Sequence, residues 1–392
     1  MSDQPTLVLP VGGDGPGPAP RTPNPWRAAL IAVLVTLALA VPAAIILVLR
    51  GGDGADPVTP PLAAPASPAP SAPPSTPPDA SPTPAPAAPD GRIALGTLQN
   101  STLVIPPWPA DNLRGPSGPL RFRDGVVTVP PHEVRTGEAP YGAHVVLWSA
   151  TYGDVDHDGR AETIAPVECL IEGGSIQLVA FDRDSDGRII TLGTVVSTTG
   201  EVRDIDTTGV RVGGTGTVTV RVADYQGCCG DTTPTRWQTR RYRWTGGRFT
   251  QAGGPTAMPA NPAVTQTRLT TGDLVLGPVS AGYRTGTLAV TLRHGFGARP
   301  DRVRLAFSVD RLEPIGTAWP ATTVRGDGTV TITVKAPPSR GTVTYRYAFR
   351  HPIGATASSM VVEAEPLSAR GAPLSEVMGW DNAAEARIRT VN

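Results

Sequence analysis

Lysine is all but missing from this chain: Lys335 stands alone, and arginine supplies the other 33 of 34 basic residues. The 34 acidic residues cancel them to a net charge of zero. Phosphate backbones are held by clustered positive charge, so no nucleic-acid partner is expected. Aromatic residues are scarce at 5%, and only 17% of the chain is charged. The five histidines (132, 144, 157, 294 and 351) are scattered, none beside a cysteine or a convincing Ser/Asp partner. GxSxG, SxxK, HExxH, P-loop and dinucleotide fingerprints are all missing. No residue therefore stands out as a catalyst.

What the chain has in excess is glycine and proline, 44 of each, unevenly spread. They divide it into segments. Residues 1–27 form a Pro/Gly-rich tail too short to fold. Residues 28–49 (AALIAVLVTLALAVPAAIILVL) are 22 uncharged residues, enough to span about 30 Å of hydrocarbon as one transmembrane helix. Trp26 and Arg27 precede the run and Arg50 follows it, as interface anchors do. Ala38-Leu39-Ala40 resembles a signal-cleavage box, but cutting there leaves a strongly apolar terminus, so an uncleaved single-pass anchor is expected. Arg21 and Arg27 favour a cytoplasmic N-terminus in the plasma membrane and an extracellular remainder. Residues 50–90, built mostly of Pro, Ala, Ser, Thr, Asp and Gly, read as a disordered stalk near polyproline II. At ~3.1 Å per residue the stalk reaches on the order of 100 Å, suited to crossing a cell-wall layer.

Beyond the stalk the pattern is β. In 91–251 short apolar runs alternate with turn signals, giving expected strands at 144–152, 163–171, 175–181, 188–196, 217–222, 237–244 and 248–251. An antiparallel meander or small barrel fits, with Pro166 placing its strand at an edge or a bulge. After a Gly/Pro-rich linker at 252–263, residues 264–392 alternate cleanly, as in TLAVTLR (287–293), VRLAFSV (303–309) and TVTYRYAF (342–349). About seven such strands without cysteine suggest an Ig-like β-sandwich. The expected fold is mainly β throughout.

The most informative loop is Asp154-Val155-Asp156-His157-Asp158-Gly159-Arg160-Ala161-Glu162. Carboxylates fall at positions 1, 3, 5 and 9, glycine at 6, and the Arg160 carbonyl at 7 completes an all-oxygen set suited to Ca²⁺. Position 12 is Ala165 and the flanks are strands, so this is no EF-hand. A second stretch, Asp182-Arg183-Asp184-Ser185-Asp186-Gly187, repeats only the first half and reads as a hairpin turn. Outside the cell one pairing among Cys169, Cys228 and Cys229 is expected, Cys169 with Cys228 or with Cys229. Trp237, Arg241, Tyr242, Arg243 and Trp244 form a candidate binding face for sugars or an anionic polymer; the competing reading packs alternate residues inward.

YGDVDHDGRAETI (152–164) resembles the calcium loops of FG-GAP and VCBS-type repeats. Together with LQNSTLVIPPWPAD, CCG and RRYRWTGGRFTQ, it makes 91–251 similar to actinobacterial envelope domains of the LppP/LprE lipoprotein kind. It differs in carrying one acidic repeat, and a membrane helix where those proteins carry a lipidated cysteine. TGTLAVTLRHGFGARPDRVRLAFSV (285–309) and the closing GWDNAAEARIRTV resemble DUF11/CARDB-like bacterial Ig domains. The resemblance implies an envelope location and spacer or adhesive modules. The expected function is a non-catalytic, calcium-stabilised envelope protein that adheres, or binds cell wall or protein partners. The alternatives are an enzyme acting on cell-wall polymer and a single-pass sensor.

Overall fold

A computed structural model describes residues 90–391, apart from 172, 228–229, 310, 326–327 and 355–357. The expected tail, the expected anchor at 28–49 and nearly all of the expected stalk lie outside the described residues. Among the described residues no helix is long and apolar enough to cross a membrane. Among the described residues the architecture is mainly β, as expected, with one short α-helix, α1 (Leu95–Gln99), and a 3-10 helix at Gly379–Asn382.

The first lobe begins with a hairpin-like pair, β1 (Thr102–Ile105) and β2 (Gly118–Arg121). A central antiparallel meander follows, of β3 (Val126–Thr128), β4 (His144–Val146), β5 (Thr151–Gly153), β6 (Glu162–Ile171), β7 (Gly173–Arg183) and β8 (Ile189–Ser197). A second antiparallel sheet contains β9 (Asp204–Ile205), β10 (Arg211–Val212), β11 (Val218–Ala223), β12 (Trp237–Thr245) and β13 (Arg248–Gly253).

Strands β6 and β7 are covered on both faces, which explains their nearly continuous apolar runs. On one face Ala165, Val167, Val179 and Phe181 pack with Ile93, Leu98, Leu103 and Phe122. On the other, Ile164, Leu178 and Ala180 meet Val218, Val220, Val222 and Tyr242 of the second sheet. Each large apolar side chain buried here contributes roughly 1.5–3 kcal/mol.

Pro166 lies in the middle of this sheet, which corrects the expectation of an edge strand. On one side it pairs with Leu178 of β7. On the other, β5 pairs with residues 162–164 and β4 with 168–170, so the expected strand 144–152 is broken opposite the proline. At the break Leu147 turns its N–H to the Gly125 carbonyl (2.8 Å). A central strand tolerates proline where its neighbour has left the ladder.

The second lobe contains β14 (Val264–Thr271), β15 (Leu274–Leu276), β16 (Tyr283–Gly297), β17 (Arg302–Ser308), β18 (Glu313–Ile315), β19 (Thr323–Val324), β20 (Thr329–Lys335), β21 (Thr342–Pro352), β22 (Ser359–Leu367), β23 (Ser375–Glu376) and β24 (Ala383–Thr390). Its core joins Leu288, Val290, Tyr347 and Phe349 from β16 and β21 to Leu305, Phe307, Ile332 and Val362 from β17, β20 and β22. Two layers of a sandwich thus face each other. Strand β24 links them, parallel to β15 and antiparallel to β22.

The lobes are in contact. Arg340 donates to Glu201 (2.9 Å), Thr233 and Ser375 share a hydroxyl hydrogen bond (2.6 Å), and the Arg203 guanidinium lies 5.4 Å from the Phe296 ring centre. The joint at 252–263 is tied to the first lobe: Arg240 donates to the Thr256 carbonyl (2.9 Å) and Asn261 to the Pro234 carbonyl (2.7 Å).

Candidate metal site

The acidic loop connects β5 to β6, so both of its ends are fixed by the ladder between those strands. Within it each aspartate folds the backbone around itself. Asp154 accepts from the N–H groups of His157 (2.7 Å) and Gly159 (3.2 Å), Asp156 from Asp158 (3.1 Å) and Asp158 from Arg160 (2.8 Å). These are the local side chain–backbone bonds for which aspartate is favoured in turns. Gly159 takes φ +87°, a conformation other side chains rarely adopt, and this allows the sharp bend.

The result is convergence. One carboxylate oxygen from each of Asp154, Asp156, Asp158 and Glu162 lies within 4.8 Å of the others, the one such cluster of His, Cys, Asp and Glu among the described residues. Glu162 is fully buried. Its Oε2 accepts from the Val155 N–H (2.6 Å), whereas its Oε1 has no partner. Burial pushes its carboxyl up to about 7, opposed by the Val155 hydrogen bond and reinforced by Asp156, Asp182 and Asp158. Asp156 is also raised, first by burial and then by its acidic neighbours against the Asp158 hydrogen bond. Arg160 pairs with Asp158 (3.0 Å), the one cation within the loop.

Sequence reasoning missed Asp182. It was placed at the start of the second acidic stretch, but it is buried at the end of β7 and its Oδ1 has no partner. The β6–β7 register pairs Thr163 with Phe181, so one step further on Glu162 and Asp182 are cross-strand neighbours. The expected strands 163–171 and 175–181 leave that register open, so the sequence does not bring the two residues together. The rest of the second stretch is a hairpin turn, as expected: Asp184 accepts from Asp186 (3.0 Å) and Arg188 (2.8 Å), and Arg188 pairs with Asp186 (2.9 Å).

Leaving a buried carboxylate oxygen unsatisfied costs about 1–3 kcal/mol or more. Here two such oxygens, on Glu162 and Asp182, sit beside three further aspartates. A hard divalent cation with oxygen ligands removes that cost, so the donor set fits Ca²⁺.

The other candidate residues are distributed differently. The expected bridge is not formed at Cys169, which is a free, buried thiol. Its Sγ points into the first core, toward the Arg114 carbonyl (3.4 Å), on the face of β6 opposite the second sheet. Gly115 and Gly142 make room for it, since a methyl group at either would overlap the sulfur. Cys228 and Cys229 lie outside the described residues. Burial pushes the Cys169 thiol up to about 11, the Gly142 hydrogen bond opposing it. Cys169 should accordingly resist a thiol reagent at pH 8 in the native chain and react fully in denaturant. Fast native labelling at Cys169, located by peptide mapping, would contradict this placement.

The aromatic strand β12 splits by alternation. Trp237, Arg241 and Arg243 are exposed on one side, whereas Tyr242 is buried in the core and Trp244 packs edge-on against Phe249 (5.0 Å). Only the first three share a wet face, with Arg221 lying 5.2 Å from the Trp237 ring centre.

No family model matches the chain, and no curated protein does. Among solved structures it is similar to the collagen adhesin of S. aureus, at 9% identity and a TM-score of 0.17, over 56% of this chain and 89% of that one. A score so low assigns neither a fold nor a ligand.

Proposed function

We propose that this chain is a non-catalytic cell-envelope protein. In this reading residues 28–49 anchor it in the plasma membrane with the N-terminus cytoplasmic, and the stalk at 50–90 carries the β lobes outward. The first lobe is stabilised by calcium, the second is Ig-like, and together they serve adhesion or bind cell wall or protein partners. The single observation that carries the calcium reading is the fully buried Glu162 with its unpartnered Oε1 amid three aspartates. Asp154, Asp156, Asp158 and Glu162, with the Arg160 carbonyl, would hold the ion and tie β5 to β6.

Extracellular calcium sites have dissociation constants of about 10⁻⁴–10⁻³ M. At millimolar calcium, mass action then adds roughly 0.4–1.4 kcal/mol. The full chain in detergent should melt a few degrees higher in calcium than in EDTA. Asp156→Ala should erase the rise, while Asp184→Ala, in the hairpin turn, should preserve it. Glu162→Gln should raise stability in EDTA and remove the calcium response. Identical wild-type melting in EDTA and in several millimolar calcium would reject the site.

A further inference from the structure

Where the lobes meet, a cleft of about 530 Å³ opens between Asp111 of the first lobe and the β14–β16 face of the second. Its wall holds an arrangement that the fold alone does not account for. Arg268 of β14 and Arg293 of β16 are directly opposite each other in the ladder, and both are exposed. Like charges placed directly across a strand pair destabilise it. Neither arginine makes an ion pair among the described residues; Arg268 feels only a longer-range attraction to Asp381. Two guanidinium groups thus face the cleft without an anion of their own.

The same wall carries Asp381 and Trp380. Asp381 is nine-tenths buried. Its Oδ2 accepts from Gln266 (2.9 Å), and its Oδ1 has no partner. Trp380 is half-buried and offers an apolar ring at the cleft. Phe296, with the Arg203 guanidinium over it, completes the side next to the first lobe.

These groups make different demands on a ligand. Paired guanidinium forks suit a carboxylate or a phosphate. An indole flanking polar groups suits the C–H face of a ring. We propose that the cleft binds an acidic sugar: Arg268 and Arg293 take its anionic group, and Trp380 covers the apolar face of its ring. A nucleic acid would also supply phosphate, but the net charge of zero and the carboxylates of Asp111 and Asp381 oppose a polyanion.

This inference builds on the binding role proposed above but not on the calcium loop, which lies in a different part of the first lobe. Calorimetric titration of the full chain in detergent tests it with monomeric galacturonate, mannose 6-phosphate, neutral maltotetraose and an oligothymidine. At least one of the two acidic sugars should bind, and which one does separates carboxylate from phosphate. Maltotetraose and oligothymidine should bind more weakly. Arg268→Gln and Arg293→Gln should each weaken the acidic sugar by about tenfold or more, and Arg293→Gln should leave melting unchanged or higher as repulsion is relieved. Added sodium chloride should weaken the same binding in the unmodified chain, a reading that needs no variant. Failure of both acidic sugars to bind, equal affinity for maltotetraose, tighter binding of oligothymidine, or affinity indifferent to salt would each overturn the proposal. None of these outcomes alters the melting response to calcium, so the two readings fail separately.

Discussion

Phe307→Ala is expected to cost about 3–5 kcal/mol. The ring is fully buried on β17. It meets Trp319 and Tyr347 edge-on at 5.3 Å each, and Phe349 at 6.2 Å. Those partners come from β21 and from the segment before β19, so the vacated volume is bounded by several elements that cannot all collapse into it. Urea unfolding of the full chain should show a much lower midpoint. Val324→Ala, at a position 67% exposed on β19, should stay within about 0.5 kcal/mol. A Phe307→Ala loss as small as the Val324→Ala loss would mean that the aromatic cluster is not the centre of this core.

The second large effect is a pH dependence set by Glu376. Both its carboxylate oxygens accept from the Thr267 N–H (3.0 and 3.1 Å). Burial pushes its carboxyl up to about 8, and Asp381 pushes the same way, against hydrogen bonds from Thr267 and Asn382. Asp381, raised to about 6 by burial, is itself held down by Arg268, Gln266 and Arg203. The folded state keeps a proton that the unfolded chain, with an ordinary carboxyl near 4.5, gives up. Glu376 therefore contributes full stability below about pH 4.5, and that contribution is lost as pH rises to about 8. The loss is on the order of a few kcal/mol. Glu376→Gln, which stays neutral, should flatten the decline. Because Glu162 titrates in the same window, the difference between the two chains, measured in EDTA, isolates Glu376. Parallel pH profiles for the two would show that Glu376 is ionised in the folded protein.

What was legible in the sequence followed from exposure on one face. Strand β16 was visible because Leu288, Val290 and Leu292 point inward while their neighbours do not. The acidic loop was visible because its spacing is local. The β6–β7 hairpin gave no alternation, being buried between two cores, and there only the turn residues marked strand ends. Asp182 escaped because strand register, not spacing, brings it beside Glu162. The cleft escaped for a stronger reason. Arg268, Arg293 and Asp381 come from three separate elements, and nothing about any one of them predicts the other two. Cys169 misled because a count of cysteines carries no information about which face of a strand a sulfur occupies.

The two parallel strand pairs of the second lobe constrain how it is made. β14 pairs with β23 and β15 with β24, so although both also pair with β16, one edge of each waits for the last two strands. About a hundred residues must be synthesised between partners, and closing so long a loop precedes any reward from the pairing. Until β24 arrives, the core containing Phe307 has one seam open between its layers. A nascent chain halted before residue 383 would expose that seam as a row of unpaired backbone groups, a template for association with other chains. Completion of this lobe is thus tied to the synthesis of residues 383–390, whereas every strand pair of the first lobe can form while the second is still being made.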